Sequence, residues 1–322
     1  MLKFRLLSLL AGLTTAAAVP CAALAADAYP TKPVTMIVPF AAGGPTDAVA
    51  RSLAEAMRAT LGQTVVAENV GGAGATIGAA RVAAAPADGY TLLLGHVGLT
   101  TAPALYAKLR FDPVKDFAPI GLVADLPMLL LARQDFPASN FQEFVQHARK
   151  QPGGITIANA GVGSASHLCS VLLMNAIGAE YQPVPYKGIA PGMTDVLGKR
   201  IDAMCVSGYT PGLAVKTFAV TTKARLAEIP DVPTMQESGL KDFEMGIWHA
   251  LWAPKGTPQA VIDKLAAAVQ AAQADPAFRK RMKDLGTVVM DGQGNPQVLQ
   301  ARVVRDTAQW KELLQKAGVK PE

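Results

Sequence analysis

The chain has 322 residues, of which 50% are hydrophobic and 6% aromatic, with 30 basic and 25 acidic side chains. This much apolar sequence can bury a large core, and the length favours two lobes over one. The basic residues are scattered and aromatic residues make up only 6% of the chain, which excludes the clustered basic stripe with aromatic side chains that is typical of nucleic-acid-binding proteins.

The N-terminus has the three parts of a secretory signal peptide. Lys3 and Arg5 precede an apolar run over 6–13 and a small-residue stretch that ends at Ala25. This order meets the requirements of translocation and of the signal peptidase, so we predict cleavage near Ala25 and a periplasmic mature protein. No later apolar run reaches the length of about 18 residues that a membrane-spanning helix needs.

Short β-branched runs then alternate with Ala-rich amphipathic segments. Apolar strands joined by helices are typical of parallel sheets covered on both faces, so we predict an α/β fold. The elements predicted for the first lobe are strands 34–40, 64–70 and 91–96 and helices 46–61, 75–85 and 100–109. The apolar stretch Ile120–Arg133 contains Pro127 and is too long for an ordinary strand, so we predict two strands with a crossover between them.

A second alternating series predicts a second lobe. Its elements are helices 141–150, 164–178 and 189–198 and strands 155–160, 182–186, 201–206 and 218–222. A strand over 246–253 then returns to the first lobe, followed by helices 258–274, 276–285 and 296–317, each with Pro near its first turn.

This series predicts three regions of the chain. They are a signal peptide over 1–25, a first lobe over 26–125 plus 225–322, and a second lobe over 126–224. Crossings near 123–128 and 221–226 make a hinge, which permits the two lobes to close as rigid bodies around a ligand.

One glycine-rich loop follows a strand in each lobe, where ligands bind in open parallel sheets. Glycine allows close approach of the backbone, and free amides of a first helical turn favour an anion. The predicted ligand-binding residues are Ala42, Gly43, Gly44, Thr46 and Asp47 in the first loop and Gly161, Gly163, Ser164, Ser166 and His167 in the second. Taken alone, the first loop is better explained as an ordinary turn before a capped helix, and Ser164 is as good a helix N-cap as a ligand contact. The pairing of the two loops across the lobes favours binding.

Ordered sequence blocks connect the mature chain to a known family. They include Tyr29-Pro30-x-Lys32-Pro33, Gly43-Gly44-x-Thr46-Asp47, Asp88-Gly89-Tyr90, Pro185-Tyr186-Lys187-Gly188 and Ala253-Pro254-x-Gly256-Thr257-Pro258. With these blocks the sequence resembles the tripartite tricarboxylate transporter receptors, known as Bug solute receptors.

The resemblance implies a Venus-flytrap receptor with two interlobe crossings. Such a receptor binds a small organic carboxylate (a di- or tricarboxylate, an aromatic acid or an amino acid) for uptake or sensing. It has no cofactor, and some members of the family deliver their ligand to a tripartite membrane permease. We expect a monomer, since the sequence shows no signature of oligomerisation.

Three further residues complete the predicted ligand-binding set. His96 stands at a strand end where the family usually has a smaller hydroxyl residue, although a single histidine is also typical of a structural position. Ser207 stands where relatives carry an acidic or amide residue, and a neutral hydroxyl suits an acidic or aromatic ligand better than an amine. Tyr186 lies at a strand end inside a family block.

A secreted α/β hydrolase that uses Ser164 or Ser166 is the alternative function. The segment 163–167 lacks the Gly-x-Ser-x-Gly pattern of a nucleophile elbow, and neighbouring Ser and His side chains on a helix point in different directions. The histidines show no metal-ligand spacing. We therefore predict a receptor without catalytic or metal-binding residues. Cys169 and Cys205 define no disulfide framework and match no metal motif. Two small buried side chains are the favoured interpretation, and a bond between them stays open, since it could form in the oxidising periplasm if the geometry allows.

Overall fold

The computed structural model describes residues 29–208, 211–241, 243–316 and 321. The predicted signal peptide and its cleavage site lie outside these residues. Within the described part of the chain, every helix is too short or too polar to cross a bilayer.

The described residues form an α/β structure, as predicted. The strands are β1 (Val34–Val38), β2 (Val65–Asn69), β3 (Thr91–His96), β4 (Phe117–Arg133), β5 (Thr156–Asn159), β6 (Gln182–Pro185), β7 (Ala203–Ser207), β8 (Val215–Val220), β9 (Gly246–Pro254) and β10 (Val288–Val289). The helices are α1 (Pro45–Leu61), α2 (Thr76–Ala83), α3 (Gly98–Leu105), α4 (Phe141–Lys150), α5 (Ala165–Ala176), α6 (Ile189–Leu197), α7 (Gln259–Ala274), α8 (Pro276–Asp284) and α9 (Pro296–Lys316).

The strands form one sheet that serves both lobes. Their order is β2-β1-β3-β9-β4-β7-β5-β6, and β8 and β10 also pair with β4. The first lobe contains the parallel strands β1, β2 and β3 beside antiparallel β9, and the second contains parallel β5, β6 and β7. Parallel neighbours bring their carboxyl ends to the same edge, which places the loops that follow β1, β3 and β5 near the cleft.

Strand β4 runs without interruption from one lobe to the other. The prediction of two separate strands within Ile120–Arg133 is therefore wrong. The first part of β4 pairs with β9 and the second with β7 and β8, and register shifts absorb the irregularities of the long strand. Pro127 is tolerated because it lies opposite Gly246, where the pairing with β9 ends and its missing amide interrupts no ladder.

The second connection between the lobes lies around the buried side chain of Thr221. Its hydroxyl donates to the carbonyl of Met245, and the amide of Met128 donates to Thr221 Oγ1 at 3.0 Å. Downstream, Leu226 and Val232 pack against the hydrophobic cluster of the second lobe. The chain therefore returns to the first lobe close to Met245, later than the predicted crossing at 221–226, and we propose the lobe boundary there.

A disulfide joins α5 to β7 in the second lobe. Cys169 and Cys205 are fully buried, and their Cα atoms are 6.2 Å apart. Both side chains are buried, as the sequence favoured, and they form the bond that the sequence left open, because packing of α5 on β7 brings together two residues that are 36 positions apart.

Replacing both cysteines with alanine is expected to lower the free energy of unfolding by about 3 kcal/mol, since the bond restricts the unfolded chain. Thermal unfolding with and without a reductant measures this loss. The wild-type protein should lose stability once the reductant is present, whereas the double variant should not respond to it. Equal melting temperatures for the oxidised wild type and the variant would contradict the prediction.

Candidate functional site

The starts of helices α1 and α5 meet in one buried cavity between the lobes. Six of the predicted ligand-binding residues line it: Gly44, Thr46, His96, Ser164, Ser166 and Ser207. Six residues that the sequence reasoning missed complete its wall: Phe40, Pro45, Ala160, Ala165, Ile189 and Ile247. All of the missed residues are apolar. Except for Ile247, which lies within β9, their only signal in the sequence is their position after the end of a strand or at the start of a helix.

The start of α1 presents free backbone amides. Gly44 is its N-cap and provides no side chain to bond them, and Pro45 at the first helical position has no amide of its own. Unpaired first-turn amides and the helix dipole together favour an anion. None of the described residues that line the cavity is charged, so these dipoles dominate its electrostatics.

Asp47 faces away from the cavity and holds the first loop in place. Its carboxylate accepts hydrogen bonds from Gly43 N at 3.0 Å, Arg51 Nε at 3.0 Å and Asn69 Nδ2 at 2.9 Å. Burial acts to raise the pKa of Asp47, but these hydrogen bonds outweigh it and keep the pKa below the ordinary value. Ala42 and Gly43 lie on the exposed outer turn of the same loop.

The second loop directs two hydroxyls into the cavity. Ser166 Oγ accepts from Ala160 N at 2.8 Å, Ser164 Oγ accepts from His167 N at 3.3 Å, and the two hydroxyl oxygens are 3.0 Å apart. One hydroxyl hydrogen is shared between the serines, so the other is left for a ligand. His167 accepts from Gly163 N through Nδ1 at 3.2 Å, an arrangement that braces the loop and does not activate a serine.

Tyr186 and Gly161 do not line the cavity either. Tyr186 donates its hydroxyl hydrogen to Asp195 at 2.6 Å, and burial together with this bond raises the pKa of Tyr186 to about 12. Gly161 has a φ of 104°, and a Cβ there would lie 2.7 Å from Gly74 N of the other lobe. Glycine at 161 therefore serves close contact between the lobes.

Direct hydrogen bonds hold the two lobes together over the cavity. Tyr106 donates its hydroxyl hydrogen to Val162 O at 2.6 Å, and Thr101 Oγ1 donates to Gly163 O at 3.1 Å. Ala41 N donates to the carbonyl of residue 187 at 3.1 Å. The cavity measures only about 20 Å³, close to the space of one water molecule, so entry of a ligand requires the lobes to separate.

Two histidines lie side by side at the base of the cavity. His96 on β3 is paired in register with His249 on β9, and their ring centroids are 5.6 Å apart. His96 stacks on Phe40 at 4.7 Å, whereas His249 contacts Thr46 Oγ1 through Nε2 at 3.0 Å. The role of His249 could not be read from the sequence, because it depends on the register between β3 and β9.

Both histidines are neutral at neutral pH. Burial, followed by the neighbouring His249, lowers the pKa of His96 to about 3. Burial lowers the pKa of His249 to about 4. A neutral imidazole has one donor nitrogen and one acceptor nitrogen, so each ring here has a defined hydrogen-bonding direction.

Comparison with known proteins identifies close structural relatives. Residues 49–319 match the model of the tripartite tricarboxylate transporter family receptors. The periplasmic binding protein BugD is similar with a TM-score of 0.89 and 53% identity, covering 91% of this chain and 100% of BugD. MatC from Rhodopseudomonas palustris, solved with bound malate, gives a TM-score of 0.85 and 39% identity over 89% of this chain and 100% of MatC. An R. palustris protein solved with adipate gives a TM-score of 0.87 and 31% identity, covering 91% of this chain and 100% of that protein.

Proposed function

Because the chain belongs to the tripartite tricarboxylate transporter receptor family, we propose that it is a periplasmic receptor that closes its two lobes over a small organic carboxylate. One observation carries this proposal: the starts of α1 and α5 face one uncharged cavity between the lobes. Helix amides and serine hydroxyls can surround a carboxylate there without a basic side chain. The malate and adipate bound by the two R. palustris relatives support this ligand class.

The proposal assigns each face of the site a role. From the first lobe, the ligand is bound by the first-turn amides of α1 and by Thr46. From the second lobe, it is bound by Ser164 and Ser166. Ser207 and His96 form the remaining wall of the cavity. Asp47, Gly161, Gly163 and His167 act indirectly by shaping the two loops. The ligand then passes to a tripartite membrane permease, and the receptor acts as a monomer exported by cleavage after residue 25.

The geometry gives no support to the alternative of a hydrolase. Ser164 caps α5 and shares its hydroxyl with Ser166, and the ring of His167 is engaged with Gly163. A serine nucleophile needs a base within hydrogen-bonding reach of its hydroxyl. We therefore assign the serines to ligand binding.

Replacing Ser164 and Ser166 with alanine together is expected to weaken carboxylate binding by about tenfold, since it removes hydroxyl donors from the cavity. A thermal-shift screen with dicarboxylates, citrate, aromatic acids and amino acids finds the ligand, because binding raises the melting temperature by mass action, and calorimetry then compares the variants. Ser170→Ala is the matched control, as Ser170 lies on the same helix and donates to Ser166 O outside the cavity. A flat response across the panel, or an esterase activity that the double change abolishes, would overturn the receptor proposal.

A further inference from the structure

His96 presents an unpaired hydrogen-bond donor to the cavity. Gly98 N donates to His96 Nδ1 at 2.7 Å, and an amide N–H can only donate. Nδ1 is therefore the acceptor nitrogen, and the neutral ring carries its hydrogen on Nε2. The side chain is only 5% exposed, and among the described residues Nε2 has no hydrogen-bond partner. Nε2 is not one of the fully buried side-chain atoms that lack a partner, so it is accessible from the cavity, where an acceptor on a ligand can take the place of water.

Thr46 presents the complementary acceptor. His249 Nδ1 lies 3.2 Å from the carbonyl of Ile247, which can only accept, so Nδ1 carries the ring hydrogen. His249 Nε2 must then accept from the Thr46 hydroxyl at 3.0 Å. This bond uses the only hydrogen of the hydroxyl, and what Thr46 Oγ1 offers to the cavity is a lone pair.

The donor and the acceptor lie next to each other. His96 and His249 face each other across the β3–β9 pairing with ring centroids 5.6 Å apart, and Thr46 contacts His249 directly. Both His96 and Thr46 line the same narrow cavity. One small ligand group can therefore meet both.

Building on the proposed receptor function, we propose that His96 and Thr46 select a carboxylate that carries a hydroxyl group. The ligand oxygen accepts from His96 Nε2, and the ligand hydroxyl hydrogen goes to Thr46 Oγ1. A methylene satisfies neither partner, an ammonium group has no lone pair for His96, and an ionised carboxylate has no hydrogen for Thr46. The preferred ligand class is thus a hydroxy acid.

Calorimetry with pairs of acids that differ only in one hydroxyl tests this selection. The pairs are malate (both enantiomers) with succinate, and citrate with tricarballylate, and aspartate replaces the malate hydroxyl with an ammonium group. We expect the hydroxy acid of at least one pair to bind at least about tenfold more tightly than its partner, because the deoxy acid displaces water from His96 and Thr46 without replacing its hydrogen bonds. Malate should also bind more tightly than aspartate.

Variants assign the preference to the two side chains. His96→Phe keeps the stacking on Phe40 but removes the donor, and Thr46→Val removes the acceptor. Each variant should therefore bind the hydroxy acid and its deoxy partner with nearly equal affinity. His96→Gln restores a donor near the position of Nε2 and should recover part of the preference. His147→Gln, on helix α4 outside the cavity, is the matched control and should leave the ratio unchanged.

The possible outcomes separate the two proposals. Equal affinities within each pair, or tighter binding of aspartate, would overturn the hydroxyl selection and leave the carboxylate receptor standing. Absence of binding by every acid in the panel would overturn the receptor function itself. The comparison of ligands on the wild-type protein decides the question even if a variant fails to fold.

Discussion

Replacing Gly74 with alanine is expected to weaken ligand binding by about a hundredfold while the fold stays intact. Gly74 belongs to the first lobe, and a Cβ on it would lie 1.8 Å from Val162 O in the second lobe. Backbone cannot yield over such a distance, so the lobes could not reach the closed arrangement in which both loops contact the ligand. The apparent affinity falls with the population of the binding-competent state, and about 2.7 kcal/mol against closure corresponds to a hundredfold loss.

A control for backbone strain comes from the glycine that ends helix α1. Gly62 has a φ of 68°, close to the 57° of Gly74, but a Cβ there meets nothing within 4 Å. Gly62→Ala therefore introduces the same left-handed strain without a clash between the lobes and should bind ligand like the wild type. Calorimetry gives the affinities, and small-angle scattering shows whether ligand still compacts the protein. If Gly74→Ala binds ligand and compacts like the wild type, the lobes do not need a glycine at position 74 to close.

Lowering the pH from 7 to 5 is expected to reduce the free energy of unfolding by about 4 kcal/mol, mainly through His96 and His249. In the unfolded chain their pKa is about 6.5, so both bind protons across this range. In the folded protein their pKa values of about 3 and about 4 keep them neutral. The unfolded state binds more protons, and stability falls by about 1.4 kcal/mol per pH unit for each histidine below pH 6.5.

Burial also lowers the pKa of His167, so this ring adds to the loss of stability in the same direction. Burial raises the pKa of Asp125, so protonation of Asp125 stabilises the folded state as the pH falls and opposes the histidines. The lowered pKa values of Asp47 and Asp202 remove stability only in more acidic solution, below about pH 4.

Denaturant unfolding at pH 7, 6 and 5 without ligand measures the effect. His96→Phe should remove the contribution of His96, about 2 kcal/mol of the expected change, since its buried imidazole is gone. His147→Gln provides the comparison on a histidine outside the buried pair. Stability that stays constant between pH 7 and 5 would show that the two histidines titrate alike in the folded and unfolded chains.

Local sequence patterns were sufficient to predict most of the helices and strands. The alternation of apolar strands and amphipathic helices predicted the α/β fold, and the helix bounds differ from the observed ones by a few residues, as in 164–178 against Ala165–Ala176. The main error was β4, whose length looked excessive for a strand because nothing local shows that it serves two lobes. The first half of β4 pairs with β9 and the second half with β7, and only the three-dimensional structure shows this pairing.

The candidate site was predicted by loops rather than by individual contacts. The sequence identified both glycine-rich loops. Four predicted residues from these loops line the cavity, together with His96 and Ser207. The sequence could not distinguish these from Asp47, which has the same position beside a helix start but turns its carboxylate to Gly43 and Arg51. Side-chain direction in a loop depends on partners that are distant in the sequence.

The sequence by itself determined the signal peptide prediction, the fold class, the family blocks and the two helix starts, because each depends on residues close together in the chain. Only the tertiary structure decided that Cys169 and Cys205 are bonded, that a side chain at Gly74 would clash with Val162 O of the other lobe, and that His249 contacts Thr46 from 203 positions away. The physical reason is that these features arise from strand register, helix packing and lobe closure. All three join distant segments of the chain, and the periodicity of one segment carries no record of which other segment it will meet.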